Sequence, residues 1–327
     1  MKKIRDILDT LDRLEEAHIL LAALELDIFT RLGDKGLTAS AAAKKAGATR
    51  EGVTALLDAL AAMGVIRKRG ELYRNTADTY RYLSKSGPGY LRGTVFLKRG
   101  NRGEWENLLQ TLQKGRDKAA FEGGDDPAFR EDFTYAMHER SEPFAKRIAE
   151  IAARRPIGDL LDLGGGPGSY SAAMLKRDAK ARATLIDRAA ALSVAQKLLE
   201  GTALLPRFRF SEGDLFDADY GKNRDTVLFS NILHIYNPSE NRRLFRRIHR
   251  ALAPGGRFLL VDLFLKDNRI EPYHAALFSL TMLMYTRTGR TYTFRETRQL
   301  LDETGFGSVR VFPLQDGASL MEAVRKK

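Results

Sequence analysis

The run Leu160-Leu161-Asp162-Leu163-Gly164-Gly165-Gly166-Pro167-Gly168 constrains this chain more than any other segment. An apolar strand leads into four glycines within five positions, and the residues from Ser169 onward read as a helix. Glycine permits a sharp turn and a close backbone approach to a ligand. Strand, glycine turn and helix in that order place a site at the carboxyl edge of a doubly wound sheet. The remaining C-terminal sequence agrees, with strands expected at 159–163, 182–187, 207–211, 225–234 and 257–264 and helices between them. A last pair is expected at 308–314 and 318–325. Gln315-Asp316-Gly317 is too short for a parallel crossover, so that pair is expected as an antiparallel hairpin at the sheet edge. The fold class is therefore α/β, Rossmann-like, with a mostly parallel sheet.

The same loop discriminates among ligands. A dinucleotide fingerprint starting at Gly164 needs glycine or alanine at 169, where Ser169 stands, and the next frame needs glycine at Pro167. Pro167 removes an N–H from any phosphate cradle, and Asp162 sets a carboxylate at its edge. Both suit a cation. S-adenosylmethionine carries a sulfonium and an ammonium, has no phosphate, and needs a glycine floor, here Gly164, Gly165 and Gly166. Asp187, 23 residues after Gly164, ends the second strand where an acidic side chain accepts ribose hydroxyls. Asp214, in Gly213-Asp214-Leu215-Phe216, is expected to accept from the adenine amino group, with Leu215 against the ring and Ser230 at the same edge. Glycine turns are often only turns, and strand-end aspartates often cap helices. Agreement at consecutive strand ends carries the reading.

The N-terminal third has another texture. Residues 14–31 read as an amphipathic helix closed by Gly33, and Thr38 and Thr49 are placed to cap two short helices ended by Gly47 and Gly64. Short strands at 65–67 and 72–74 flank Gly70, and Thr76 starts another helix. Helix, turn, helix and hairpin make a winged-helix order. Residues 84–128 read as a helical connector with joints at Gly87-Pro88-Gly89 and Gly123-Gly124-Asp125-Asp126-Pro127. A long helix follows from about 128 to 153, with Phe129, Phe133, Met137, Phe144, Ile148 and Ile151 on one side. The expected domains are 1–95, 96–155 and 156–327.

Composition narrows the chemistry. With no cysteine there is no disulfide framework, thiolate-held zinc, iron–sulfur cluster or thiolate nucleophile. Lys and Arg number 54 against 42 Asp and Glu, a net charge of +12, which raises nucleic acid or an anionic membrane as a partner. The excess is dispersed, however. Arg242, Arg243, Arg246, Arg247 and Arg250 form one face of a helix opposite Phe245, Ile248 and Leu252, as on a solvated surface. The helix at 50–63 that would read DNA bases offers few side chains for it, which argues against nucleic acid. No segment has the roughly 18 apolar residues of a membrane span, and Asp6, Asp9 and Asp12 interrupt any signal peptide, so a cytoplasmic location is expected. No carboxylate cluster suggests a metal.

These motifs together resemble the class I S-adenosylmethionine-dependent O-methyltransferases with an N-terminal winged-helix dimerisation domain, the family of acetylserotonin and caffeate O-methyltransferases. Ala23-Leu24-Glu25-Leu26-Asp27-Ile28-Phe29 is similar to the family's first signature; Asn231-Ile232-Leu233-His234 and Ala253-Pro254-Gly255-Gly256-Arg257 are similar to later ones. The resemblance implies a sheet of about seven strands, a homodimer whose subunits help close each other's pockets, and methylation of small, often aromatic hydroxyls. It makes His234, at the end of the fourth strand, the base that takes the acceptor proton, with Asp262 orienting it. Ile235-Tyr236 stand where the family usually has Asp-Trp, and a second family glutamate falls on Thr291. The acceptor is expected between Met137, Phe278, Met282 and Tyr285, since soft and aromatic side chains suit flat rings. Alternatives are transfer to carbon or nitrogen, a non-methylating relative that keeps the cofactor, and a winged-helix DNA-binding regulator that senses it.

Overall fold

The computed structural model describes residues 3–100, 105–116 and 126–326, which fall into two compact units, Met1–Glu104 and Trp105–Lys327. The stretch expected as a connector is divided between them, and the joint at Gly123-Gly124-Asp125 lies outside the described residues.

The first unit contains α1 (Ile4–Glu25), α2 (Ile28–Leu32), β1 (Leu37–Thr38), α3 (Ala39–Ala46), α4 (Arg50–Ala62), β2 (Ile66–Arg69), β3 (Leu72–Asn75), α5 (Ala77–Leu83) and α6 (Arg92–Gly100). Its punctuation follows local chemistry. The Thr38, Thr49 and Thr76 hydroxyls accept the N–H of Ala41, Gly52 and Thr79, each satisfying an orphan donor of a first turn, and Gly47 closes α3 in the left-handed conformation. The strands form a sheet in the order β1-β3-β2 over Leu57, Leu60, Ile66 and Tyr73. The helix expected over 14–31 starts earlier and breaks at Asp27, whose φ is 51°. Aspartate tolerates that conformation, and the break turns Ile28, Phe29 and Leu32 all into the core.

The second unit contains α7 (Leu108–Lys114), α8 (Pro127–Ala152), β4 (Asp159–Leu163), α9 (Ser169–Arg177), β5 (Arg182–Asp187), α10 (Ala189–Leu199), β6 (Phe208–Glu212), β7 (Arg224–Ser230), α11 (Pro238–Ala251), β8 (Leu252–Leu265), α12 (Tyr273–Tyr285), β9 (Tyr292–Thr293), α13 (Phe294–Glu303), β10 (Phe306–Pro313) and β11 (Ala318–Arg325). The sheet order is β10-β11-β8-β7-β4-β5-β6, with β9 paired to β8. Strands β4 to β8 run parallel, and β11 is antiparallel to both β8 and β10. The chain enters at β4, winds outward through β5 and β6, then returns to the other side as β7, so the order reverses between β4 and β7. Such a reversal opens a crevice at the carboxyl ends of the strands. Leu161, Val227, Phe229, Phe245 and Phe258 belong to one core, and Ile148, Ile151, Leu160, Met174 and Leu259 to the other.

Three expectations need correction. Strand β7 stops at Ser230, four residues short of His234, because Asn231 takes a φ of 57° and ends the extended run; His234 lies in the following 3-10 turn, Leu233–Ile235. Strand β8 begins at Leu252 rather than 257. Phe129, expected on the same side of α8 as Ile148 and Ile151, is exposed and stacks on Phe133, whereas those two are buried.

Candidate active site

The glycine loop leaves β4 in a conformation that its residues dictate. Gly164, Gly166 and Gly168 have φ of +63°, +52° and +68°, where side chains are strained. A Cβ on Gly164 would sit 2.5 Å from Ile232 Cδ1, and one on Gly165 2.5 Å from Asp162 Cγ, whereas Gly166 faces open space. The loop is held by Gly164 N–H donating to Ile186 O at 2.8 Å and by Gly166 N–H donating to Asp187 Oδ2 at 2.7 Å. Asp187 Oδ1 accepts the Arg188 N–H at 2.7 Å, so the carboxylate at the end of β5 and the glycine turn are one unit.

Asp162 is the least comfortable group in the site. It is buried, its Oδ2 accepts the Ser171 hydroxyl at 2.5 Å, and its Oδ1 has no partner among the described residues. Burial pushes its carboxyl up to about 7, against the pull of the Ser171 hydrogen bond, and Asp187 adds to the rise. Burial also raises Asp187, opposed by its two backbone donors and by Arg130 and Arg188. A buried, unpartnered carboxylate oxygen against Gly165 in the glycine loop is a group whose charge a cation would offset, and it fits the ammonium of S-adenosylmethionine.

The adenine end is more open. Asp214 Oδ1 accepts the Phe216 N–H at 2.8 Å, Arg188 stands 3.7 Å from Oδ2, and Leu215 is buried against the glycine loop. A cleft of about 570 Å³ opens beside Asp214, Phe216 and Arg243. Ser230 is buried at the end of β7.

On the far side of the switch point His234 and Asp262 form a pair. Nδ1 lies 2.7 Å from Asp262 Oδ1, and Asp262 is 1% exposed on β8. The carboxylate also accepts the Leu263 N–H at 2.7 Å. A carboxylate at that distance favours the tautomer with the proton on Nδ1 and a lone pair on Nε2. The Phe278 ring on α12 meets the imidazole edge-on at 4.8 Å. Of the other residues expected around an acceptor, Met282 is buried on α12, Tyr285 and Met137 are half-buried, and Met137 lies on α8 next to His138, whose Nδ1 is 2.8 Å from Ser169 Oγ. Thr291, where a second carboxylate would stand, is buried with its hydroxyl unpartnered among the described residues.

Sequence reasoning missed Ser171 as the partner of Asp162 and His138 as the link from α8 to the glycine loop. The signal for Ser171 was present: a hydroxyl one turn into α9 faces back toward the strand that feeds it. Asn231 was also legible as the residue type most tolerant of a left-handed break.

A parallel sheet with this switch point, a glycine loop at its carboxyl edge and a His–Asp pair between the turn after β7 and β8 fit the doubly wound methyltransferase class. The chain belongs to the O-methyltransferase family: the model of the O-methyltransferase domain matches residues 105–307 and that of the O-methyltransferase dimerisation domain residues 8–85. It is an enzyme family that depends on S-adenosylmethionine. The tetracenomycin polyketide synthesis 8-O-methyl transferase of Streptomyces glaucescens is 30% identical over 93% of this chain and 92% of its own length. The 3-hydroxy-5-methyl-1-naphthoate 3-O-methyltransferase of Streptomyces sahachiroi is 27% identical over 90% and 87%. Among solved structures, an O-methyltransferase family protein from Burkholderia thailandensis superposes with a TM-score of 0.88 at 26% identity, covering 100% of this chain and 99% of its own.

Proton linkage tests the assignment of Asp162. Its raised pKa means that the folded chain holds a proton there that the unfolded chain, at 3.8, loses. The resulting stability is complete below about pH 4 and is lost as pH rises through about 7. A ligand ammonium favours the ionised form, so S-adenosylhomocysteine should bind roughly tenfold tighter at pH 7.5 than at pH 5.5 and release a proton at the lower pH. Calorimetry in buffers of different ionisation enthalpy measures both. An affinity equally flat in wild type and Asp162→Asn would remove Asp162 from the ammonium site.

Proposed function

We propose that this protein transfers the methyl group of S-adenosylmethionine to a hydroxyl of a small aromatic or polyketide-like acceptor, with His234 as general base. The observation that carries the reading is the buried His234–Asp262 pair, 2.7 Å apart, in the turn after β7, the strand next to the one that feeds the glycine loop. Asp162, Gly164 to Gly166, Asp187, Asp214, Leu215 and Ser230 would hold the cofactor, which supplies an electrophilic methyl on sulfur when bound. A phenol with a pKa near ~10 is a poor nucleophile at neutral pH unless its proton is taken as it reacts. His234 Nε2 takes that proton, and Asp262 offsets the charge that the ring acquires. Phe278 excludes water from the imidazole edge and offers a flat surface to a ring, with Met137, Met282 and Tyr285 as further lining. The acceptors in the names of the Streptomyces relatives, a polyketide and a naphthoate, support an aromatic hydroxyl. Incubation with S-adenosylmethionine and a panel of phenols, anthraquinones and hydroxynaphthoates, read by mass spectrometry, should show gain of one methyl on oxygen. Methylation of amines or carbon alone would reject oxygen as the acceptor atom.

The N-terminal unit serves assembly in this reading, as a winged-helix module that pairs two chains. Ile4, Ile7, Leu8, Leu11 and Leu14 recur at helical spacing on α1, and each is 48% to 70% exposed. A solvent-facing stripe of that kind is the buried seam of a helical interface. Sedimentation as a monomer at micromolar concentration would reject the homodimer.

A further inference from the structure

His234 sits in a turn with little regular structure of its own; Asp262 holds its ring, Asn241 Nδ2 donates to Leu233 O at 2.9 Å, and the loop between α12 and β9 packs on its carbonyl side. Arg290 N–H donates to His234 O at 2.9 Å. Gly289 packs so tightly on the turn that a Cβ there would collide with the carbonyl oxygens of His234 and Ile235. Thr288 Oγ1 donates to Glu240 Oε2 at 2.5 Å, and the same oxygen accepts the Asn237 N–H at 2.8 Å just past the turn. Within the loop, Thr286 Oγ1 donates to Met282 O at 2.6 Å and accepts the Gly289 N–H at 3.0 Å.

One side chain from far upstream closes this loop. Arg116, beyond the end of α7, donates through Nη1 to Thr286 O at 3.0 Å and through Nη2 to Gly289 O at 2.6 Å. The guanidinium is half-buried, is paired with no carboxylate among the described residues, and has its pKa lowered by burial. Taking a cation partly out of water costs free energy that carbonyl acceptors offset only in part. A rigid fork that spans two carbonyls is also a geometry that lysine cannot reproduce in full.

We propose that Arg116 is a positioning residue for His234: by clamping the carbonyls of Thr286 and Gly289 it presses Gly289 and Arg290 onto the His234 backbone and sets the depth at which the imidazole meets Asp262 and the acceptor. The inference rests on the reading of His234 as the base. Displacement of a reacting group by about 1 Å costs on the order of 10²-fold in rate, so a clamp outside the pocket has leverage on the reaction.

The test uses the full chain labelled with ¹⁵N-histidine, with the His234 ring signals identified by their loss in His234→Ala. In wild type with S-adenosylhomocysteine bound, those signals should report a single tautomer protonated at Nδ1. Arg116→Ala should retain S-adenosylhomocysteine affinity within about twofold, lose the single-tautomer pattern, and speed amide exchange across 286–290 about tenfold. Arg116→Lys, which can still reach one carbonyl, should preserve the tautomer and part of the exchange protection. It also serves as the test variant if the alanine protein does not fold. An unchanged tautomer and unchanged exchange in Arg116→Ala, or in Arg116→Lys an exchange rate equal to wild type, would overturn the proposal. Failure of the base reading shows differently: His234→Ala would keep its turnover while the effect of Arg116 on the ring signals stands.

Discussion

Alanine at position 234 is expected to lower methyl transfer to a hydroxyl acceptor about 10³-fold and to leave S-adenosylhomocysteine binding within about twofold. The separation follows from the layout of the sheet. His234 follows β7 and Asp262 lies on β8, whereas the glycine loop follows β4, Asp187 ends β5 and Asp214 follows β6. Removing the imidazole therefore takes away a proton acceptor without touching Gly166, Asp187 or the orphaned oxygen of Asp162. Asp262→Asn should fall between, at about 10²-fold, because an amide can still meet the ring but no longer offsets the charge on it. Single-turnover measurements at saturating cofactor give both values. A His234→Ala rate equal to wild type would remove the general base and favour an acceptor that needs none, such as an amine.

The second large effect concerns stability. Arg257 on β8 is 2% exposed, with Nη1 donating to Ala152 O at 2.9 Å and Nη2 to Pro156 O at 2.9 Å, and Nη1 stands 3.9 Å from Glu322 Oε2. It thus satisfies carbonyls at the C-terminal end of α8 and lies between that end and β11. Methionine has similar length but no donors, so Arg257→Met strands buried acceptors and should cost about 3–5 kcal/mol of unfolding free energy. Arg310, which also pairs with Glu322 at 2.6 Å, is 57% exposed, and its alanine variant should cost less than about 1 kcal/mol. Urea titration monitored by circular dichroism compares the two. Equal midpoints for Arg257→Met and wild type would show that the buried guanidinium contributes nothing.

Much of this is legible in the sequence because the residues involved act locally. Threonine before an alanine-rich run caps a helix, glycine after it ends one, and Gln315-Asp316-Gly317 leaves two strands no choice but to reverse. The glycine loop was readable because few other residues can adopt its torsions. The errors came where local pattern and tertiary demand diverge. Apolar periodicity runs through Asp27 and through the end of β7, so the breaks there were hidden by sequences that look continuous. The His234–Asp262 contact joins the turn after β7 to β8, and the sequence could suggest it only through the order of strand ends. Arg116 was invisible, because a fork on two carbonyls leaves no motif in the sequence that supplies them.

The placement of α12 has a consequence for how such an enzyme could be retargeted. Only Ala275 and Met282 of its thirteen residues are buried, while Phe278 reaches the imidazole from the same helix. Asp262 is anchored in the sheet, whereas Phe278 hangs from a helix that contributes little to either core. Exchanges at the exposed positions Tyr273 and Leu277 should therefore cost little folding free energy, whereas Phe278, which meets the imidazole, and Met282, whose carbonyl accepts the Thr286 hydroxyl, tie the helix to the His234 turn.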